Sequence, residues 1–147
     1  MLNSSVSAQM YRIDDRTKFE KLMNGQLTQV EILLVSSDEM LRETITMCLK
    51  KKGFDTITTF NAEEALELLE HFPYSFRVLI TDNLMDKMNG IELIKEIKKR
   101  GYEFKKFVIT SSMIGFELEI QKLKEIDERL TTLLKPFKPE ELYRSIE

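Results

Sequence analysis

The chain is poor in the residues that build disulfides and metal cages. Its single cysteine, Cys48, stands alone among 147 residues. No internal disulfide can form, and a reducing compartment is expected. Cys48 falls on an apolar helical position and reads as a small core hydrophobe rather than a reactive thiol. There is also only one histidine, His71, so a typical zinc cage lacks ligands. No apolar run approaches the ~20 residues of a membrane span. The opening MLNSSVSAQMYRIDD has neither a basic n-region nor an apolar h-region. No signal peptide and no membrane association are expected, and the cytoplasm is the default location. A basic excess is missing too. The net charge of −3 argues against a nucleic-acid partner, which wants a basic face.

What is present is an ordinary globular composition, 42% hydrophobic and 32% charged, with length enough for one domain and a full core. Residues 1–29 are polar and form an N-terminal extension. Ile13, Phe19, Leu22 and Met23 give it a short amphipathic stripe, with Gly25 as a stop. A flexible arm, a packed helix and a partner surface are all compatible with that pattern.

From Val30 the pattern is regular, and residues 30–147 read as one domain. Val30–Val35 is a short buried strand. Leu41, Ile45, Cys48 and Leu49 then repeat at helical spacing over about 38–52, ending in three lysines and Gly53. A half-polar strand at 54–59 suits a sheet edge. Asn61 and Glu64 form an N-x-x-E cap for a helix at 62–71. Phe76–Thr81 reads as a central strand, followed by a loop at 83–89 and a helix at 90–100. Phe107–Thr110 is the fourth strand. Phe116, Ile120 and Leu123 mark the next helix, Leu130–Leu134 the fifth strand, and Pro139 opens the last helix, to Ile146. This is an α/β chain of (βα)5 type: a doubly wound, five-stranded parallel sheet covered on both faces. Ligands in such folds bind beyond the C-terminal ends of the strands.

Three side chains at those ends carry chemistry. Asp82 follows VLIT, Ser111 follows FVIT, and Lys135 follows LTTLL. A carboxylate can attack phosphorus and form an acyl phosphate. A lysine and a hydroxyl can donate to phosphoryl oxygens. The methionines Met85 and Met88 read as loop packing, and the runs Lys50–Lys52 and Lys98–Arg100 as solvated helix ends.

Over about Val30–Ile146 the chain resembles the receiver domain of two-component response regulators, which has the flavodoxin-like fold. TDNLMDKMNGIEL resembles the family's phosphoacceptor stretch, with Asp82 as the phosphoacceptor. ITSS places Ser111 at the Ser/Thr that senses phosphate. LLKPFKPEEL carries the Lys-Pro pair at Lys135-Pro136, a bond the family usually holds cis. LLVSSDEMLR matches the first strand and helix, including Arg42. The resemblance implies a phosphorelay signalling protein and not an enzyme. Its implied partners are a histidine kinase, another signalling protein, or a second copy bound through the 114–146 face. It also implies a Mg²⁺ site made by an acidic pair at the first strand end, the Asp82 carboxylate and the backbone of Leu84.

The acidic pair is missing. Ser36 and Ser37 stand in its place, Asp86 replaces the loop proline, and Thr132 replaces the switch aromatic. The implied pocket then holds Asp82 and Lys135, neutral overall, and Ser37 is a weak or lost ligand. Mg²⁺ prefers carboxylate oxygens, so weak or absent Mg²⁺ binding, slow or absent phosphorylation and a direct Asp82–Lys135 pair are expected. Ser36 and Glu39 are spaced as a capping box for the first helix. Leu84 and Met113, both apolar, predict slow hydrolysis of any phospho-Asp82.

One alternative is a conventional phosphorylated receiver that recovers the metal with Asp38, in a shifted register, or through a rearranged site. A remote alternative is a phosphohydrolase of the haloacid dehalogenase type with Asp82 as nucleophile. Such enzymes need a second acid two residues on, where this chain has Leu84. No output domain is visible, so either a single-domain protein or a fragment of a longer regulator is expected.

Overall fold

The computed structural model describes residues 16–112 and 117–147. Five strands, β1 (Val30–Val35), β2 (Thr56–Thr59), β3 (Phe76–Asp82), β4 (Lys106–Ser111) and β5 (Leu130–Leu134), form one parallel sheet in the order β2-β1-β3-β4-β5. Helices α2 (Glu39–Lys51), α3 (Ala62–His71), α4 (Gly90–Arg100), α5 (Glu117–Ile126) and α6 (Pro139–Ile146) connect and follow them. The (βα)5 reading holds, with β3 and β4 ending at Asp82 and Ser111 rather than at Thr81 and Thr110. Phe116 and Met113 lie outside the described residues.

Strand alternation divides the core between the two faces of the sheet. Leu33, Val35, Ile57, Leu79 and Ile109 pack with α3, α4 and α5. Ile32, Leu34, Val78, Ile80 and Val108 pack with Ile45 and Leu49 of α2 and with Leu142 and Ile146 of α6. Each fully buried aliphatic side chain contributes roughly 1.5–3 kcal/mol. The edge strand β2 is polar in sequence, yet all four of its residues are buried. Packing of α2, α3 and the residues Arg16–Met23 against it hides that edge.

The segment before β1 contains a helix, α1 (Arg16–Met23). An eight-residue helix is marginal by itself, so tertiary contacts hold it. Phe19 and Leu22 sink into the same core cluster as Val30, Leu33 and Phe76, and Lys18 Nζ bridges Asp55 Oδ1 at 2.9 Å.

Two cap readings differ from the structure. Ser36 does not cap α2. The N-cap is Asp38, whose Oδ1 accepts from Leu41 N at 3.2 Å. Ser36 Oγ instead accepts from Asp38 N at 3.1 Å. Ser36 and Asp38 are both cap formers, but α2 starts at Glu39, too late in the chain for Ser36 to be its N-cap. At α3, Asn61 Oδ1 accepts from Glu64 N at 2.8 Å, but Glu64 Oε2 accepts from Phe60 N rather than from Asn61 N. A complete box caps α4, where Asn89 and Glu92 exchange bonds.

Candidate functional site

Sheet register brings the strand ends together. β3 runs one residue past its apolar stretch, so Asp82 is still paired, beside Thr110 of β4. Ser111 pairs with Leu134 of β5, which puts Lys135 just beyond the sheet. The Ser111 carbonyl accepts from Lys135 N at 2.9 Å, and the Lys135-Pro136 peptide bond is cis.

Asp82 is 4% exposed. A buried carboxylate needs partners to offset lost hydration, and it has two. Lys135 Nζ donates to Asp82 Oδ1 at 2.9 Å, and Thr110 Oγ1 donates to the same oxygen at 3.1 Å. The direct Asp82–Lys135 pair expected from the sequence is therefore present. Thr110 was missed. Thr110 and Ser111 end the fourth strand and Ser112 follows, and the resemblance points to Ser111. Ser111 is buried one residue further along. The available signal was register: Thr110 lies level with Asp82, and level neighbours on one face meet.

The floor of the site is close-packed backbone. Asn83 N donates to the Thr110 carbonyl at 2.9 Å, and the Asn83 carbonyl accepts from Gly90 N at 3.1 Å. Asn83 Oδ1 accepts from Ile91 N at 3.3 Å. A Cβ on Gly90 would stand 2.8 Å from the Asp82 carbonyl oxygen, so only glycine lets α4 start this close to β3.

On the β1 side, the buried Ser36 offers its carbonyl to Arg42 Nη1 at 2.9 Å, and the Arg42 guanidinium lies 5.1 Å from the Phe60 ring centroid. Ser37 is half-buried and Asp38 is exposed. Leu84, the expected backbone ligand, is also exposed. Asp38 and Lys135 both line one cleft of about 500 Å³, together with Met40, Leu41, Pro136 and Phe137.

Among the described residues no group of three or more His, Cys, Asp or Glu side chains could hold a metal ion. The donor set at Asp82 does not fit Mg²⁺: it offers one carboxylate, one of whose oxygens already accepts from an ammonium and a hydroxyl, where a hard divalent cation wants several oxygen ligands.

An aspartate ending the central strand of a (βα)5 sheet, met by a lysine after the fifth strand, defines a phosphorelay-type signalling domain. Residues 32–147 match the response regulator receiver domain, and the chain belongs to that family. It is 29% identical over 112 residues to the alkaline phosphatase synthesis transcriptional regulatory protein PhoP of Bacillus subtilis, covering 76% of this chain and 45% of that protein. It is 31% identical over 110 residues to the heme response regulator HssR of Staphylococcus saprophyticus, covering 75% and 46%. The chain spans less than half the length of such curated relatives. Among solved structures it is similar to the chemotaxis response regulator CheY4 of Vibrio cholerae, with a TM-score of 0.68 and 25% identity over 80% of this chain and 96% of that one. No helix among the described residues is long and apolar enough to cross a membrane.

Proposed function

We propose that this receiver domain is atypical: a cytoplasmic protein-interaction module whose Asp82 is held by Lys135 rather than by a metal. One observation carries the reading. The carboxylate that would face a cation instead accepts from the Lys135 ammonium at 2.9 Å, while Ser36 and Ser37 stand where a second and third carboxylate would be. Mg²⁺ binding is then weak or absent, because the implied pocket lacks the net negative charge that draws a divalent ion. Phosphoryl transfer without a cation to offset developing charge is slow.

Asp82 remains the candidate phosphoacceptor, Lys135 its counter-ion, and Ser111 the expected phosphate-sensing hydroxyl. The protein signals through partners and is not an enzyme. Partners are a histidine kinase, another signalling protein, or a second copy. The face suited to them is built by α5, β5 and α6, roughly 114–146, of which 117–146 are described. Leu118 and Leu134 are exposed there, as a docking surface requires.

A Mg²⁺ titration combined with acetyl phosphate labelling tests this. Weak affinity and labelling slower than that of ordinary receivers are expected. Tight Mg²⁺ binding or rapid labelling would sink the reading.

A second reading keeps conventional chemistry through Asp38. Its support is the shared cleft, which Asp38 and Lys135 both line. Against it, Asp38 Oδ1 is committed to the first turn of α2. Mg²⁺-dependent labelling that is lost in both Asp82→Ala and Asp38→Ala would favour it.

A further inference from the structure

At the end of the sheet opposite Asp82, the segments that lead into β1, β3, β4 and β5 line a cavity of about 380 Å³, within the size range of ligand pockets, roughly 300–1,000 Å³. Gln29 reaches it from before β1, Tyr74 from before β3 and Lys105 from before β4, while Arg77 stands at the start of β3. The stacked rings of Phe76 and Phe104, with centroids 6.5 Å apart, supply apolar lining.

Two cations of this cavity have nothing to neutralise them. The register that pairs Val78 with Lys106 sets Arg77 level with Lys105, whose N donates to the Arg77 carbonyl at 2.8 Å. Like charges level on adjacent strands repel. Among the described residues neither side chain forms an ion pair, although Glu103 lines the same cavity. Arg129 also lines it but is neutralised by Asp127. The lining therefore keeps a positive excess, Arg77 and Lys105 against Glu103, in a chain whose net charge is −3. An anion held between the two cations removes their repulsion. Tyr74 adds an apolar surface for a ligand. Its ring is 62% exposed and, among the described residues, meets no other ring and no cation. Gln29 Nε2 donates to the Tyr74 carbonyl at 3.1 Å, which orients the amide and leaves its Oε1 as an acceptor.

We propose that this cavity binds a nucleoside monophosphate. The phosphate lies between Arg77 and Lys105, the base covers the Tyr74 ring, and Gln29 Oε1 accepts from an amino group on the base edge. A phosphate monoester carries about −1.5 to −2 charges at pH 7, so it answers both cations at once. The Arg77 guanidinium presents a planar fork to two phosphate oxygens, and Lys105 adds a mobile point charge. Bases stack on exposed aromatic rings whatever their identity. The cavity shares no residue with the Asp82 site, and its binding does not depend on the phosphoacceptor reading.

Calorimetric titration with adenosine monophosphate tests the site, with adenosine and inorganic phosphate as its separate halves. Adenosine monophosphate is expected to bind with a Kd below about 1 mM, and each half at least about tenfold more weakly, because joining the two makes the second contact intramolecular. Arg77→Gln and Lys105→Gln are each expected to weaken binding by about tenfold, the scale of one charge-assisted hydrogen bond. Tyr74→Ala is expected to weaken it by about the same factor through lost stacking. On addition of the nucleotide, backbone amide resonances of Tyr74, Arg77 and Lys105 are expected to shift. No detectable binding at millimolar nucleotide, inorganic phosphate that binds as tightly as the nucleotide, or an affinity unchanged in the three variants overturns the proposal. So do amide shifts at Asp82 and Lys135 in place of those at Tyr74, Arg77 and Lys105.

Discussion

Lys135 and Asp82 form an ion pair with unequal ends: the lysine side chain is 24% exposed and the aspartate 5%. The cost of breaking the pair therefore depends on which partner goes. Lys135→Ala leaves a buried carboxylate with Thr110 as its remaining side-chain donor. An under-satisfied buried acceptor costs roughly 1–3 kcal/mol. Asp82→Ala leaves a lysine able to turn its ammonium into water, so the loss stays under about 1 kcal/mol. Urea unfolding of the two variants is expected to show that order, and equal losses would argue against a pair buried at one end.

Restoring the acidic pair should restore the metal. Ser36→Asp with Ser37→Asp adds two carboxylates where β1 ends, which converts a neutral pocket into one with net negative charge. Mg²⁺ affinity is expected to rise at least about tenfold, as added carboxylate ligands tune such sites. Calorimetric titration reads this directly. A double variant with no gain would mean that Ser36 and Ser37 do not stand at the metal-binding positions.

Much of this molecule was legible in the sequence because its signals were periodic. Four apolar residues ending β1, the VLIT run of β3 and the amphipathic helices between them set element type and order. Site residues at the strand ends followed from topology. Two features escaped for physical reasons. Thr110 was passed over because its role depends on sheet register, and register is a relation between strands 28 residues apart in sequence. Ser36 fits a cap by spacing, but spacing alone does not say where the helix starts. β1 ends at Val35, and Asp38 takes the cap. The packing of α1 was also beyond the sequence, since its stripe fitted three arrangements equally well.

A second buried acid, far from the site, predicts acid sensitivity. Asp127 accepts from Arg129 Nε and Nη2 at 2.9 and 2.6 Å, and Lys98 Nζ lies 3.2 Å away. Arg129 also donates to the Phe104 carbonyl and lies 4.8 Å from the Phe107 ring centroid. The side-chain bonds from Arg129 hold the Asp127 carboxyl well below the usual carboxylate range. Burial opposes this, and the Arg129 backbone N–H and Lys98 assist it. A depressed folded value means that the stabilisation is complete above the unfolded value of ~4 and fades as pH falls toward the folded one. Asp127→Asn is expected to flatten the pH dependence of stability below ~4 and to cost about 1–3 kcal/mol at neutral pH. Urea midpoints measured across the acid range would check both.

The loop after Asp82 holds a strained residue. Lys87 has φ 66, in the left-handed region that costs a side chain about 1 kcal/mol. Its ammonium is 3.6 Å from Glu63, with both side chains mostly exposed, so that contact offsets little. Lys87→Gly is expected to raise stability by up to about 1 kcal/mol, tempered by the extra freedom of glycine in the unfolded chain. For a chain of this size that is a rise of roughly 2–4 °C in Tm. A fall in Tm would show that the Lys87 side chain contributes more than its backbone costs.

The helix before β1 packs into the core under the sheet, although the family match begins only at residue 32. Phe19 is fully buried, in one cluster with Val30, Leu33, Leu69 and Phe76. Truncating a buried phenylalanine costs roughly 3–5 kcal/mol through lost transfer energy and the cavity left behind. If α1 were a detachable arm, Phe19→Ala would lower stability little, because the helix could leave without disturbing the core. A full loss of roughly 3–5 kcal/mol in a single cooperative transition is the expected outcome. Removal of residues 1–27 should then cost at least as much as Phe19→Ala. A truncated chain as stable as the full one would show that the sheet closes its core without α1.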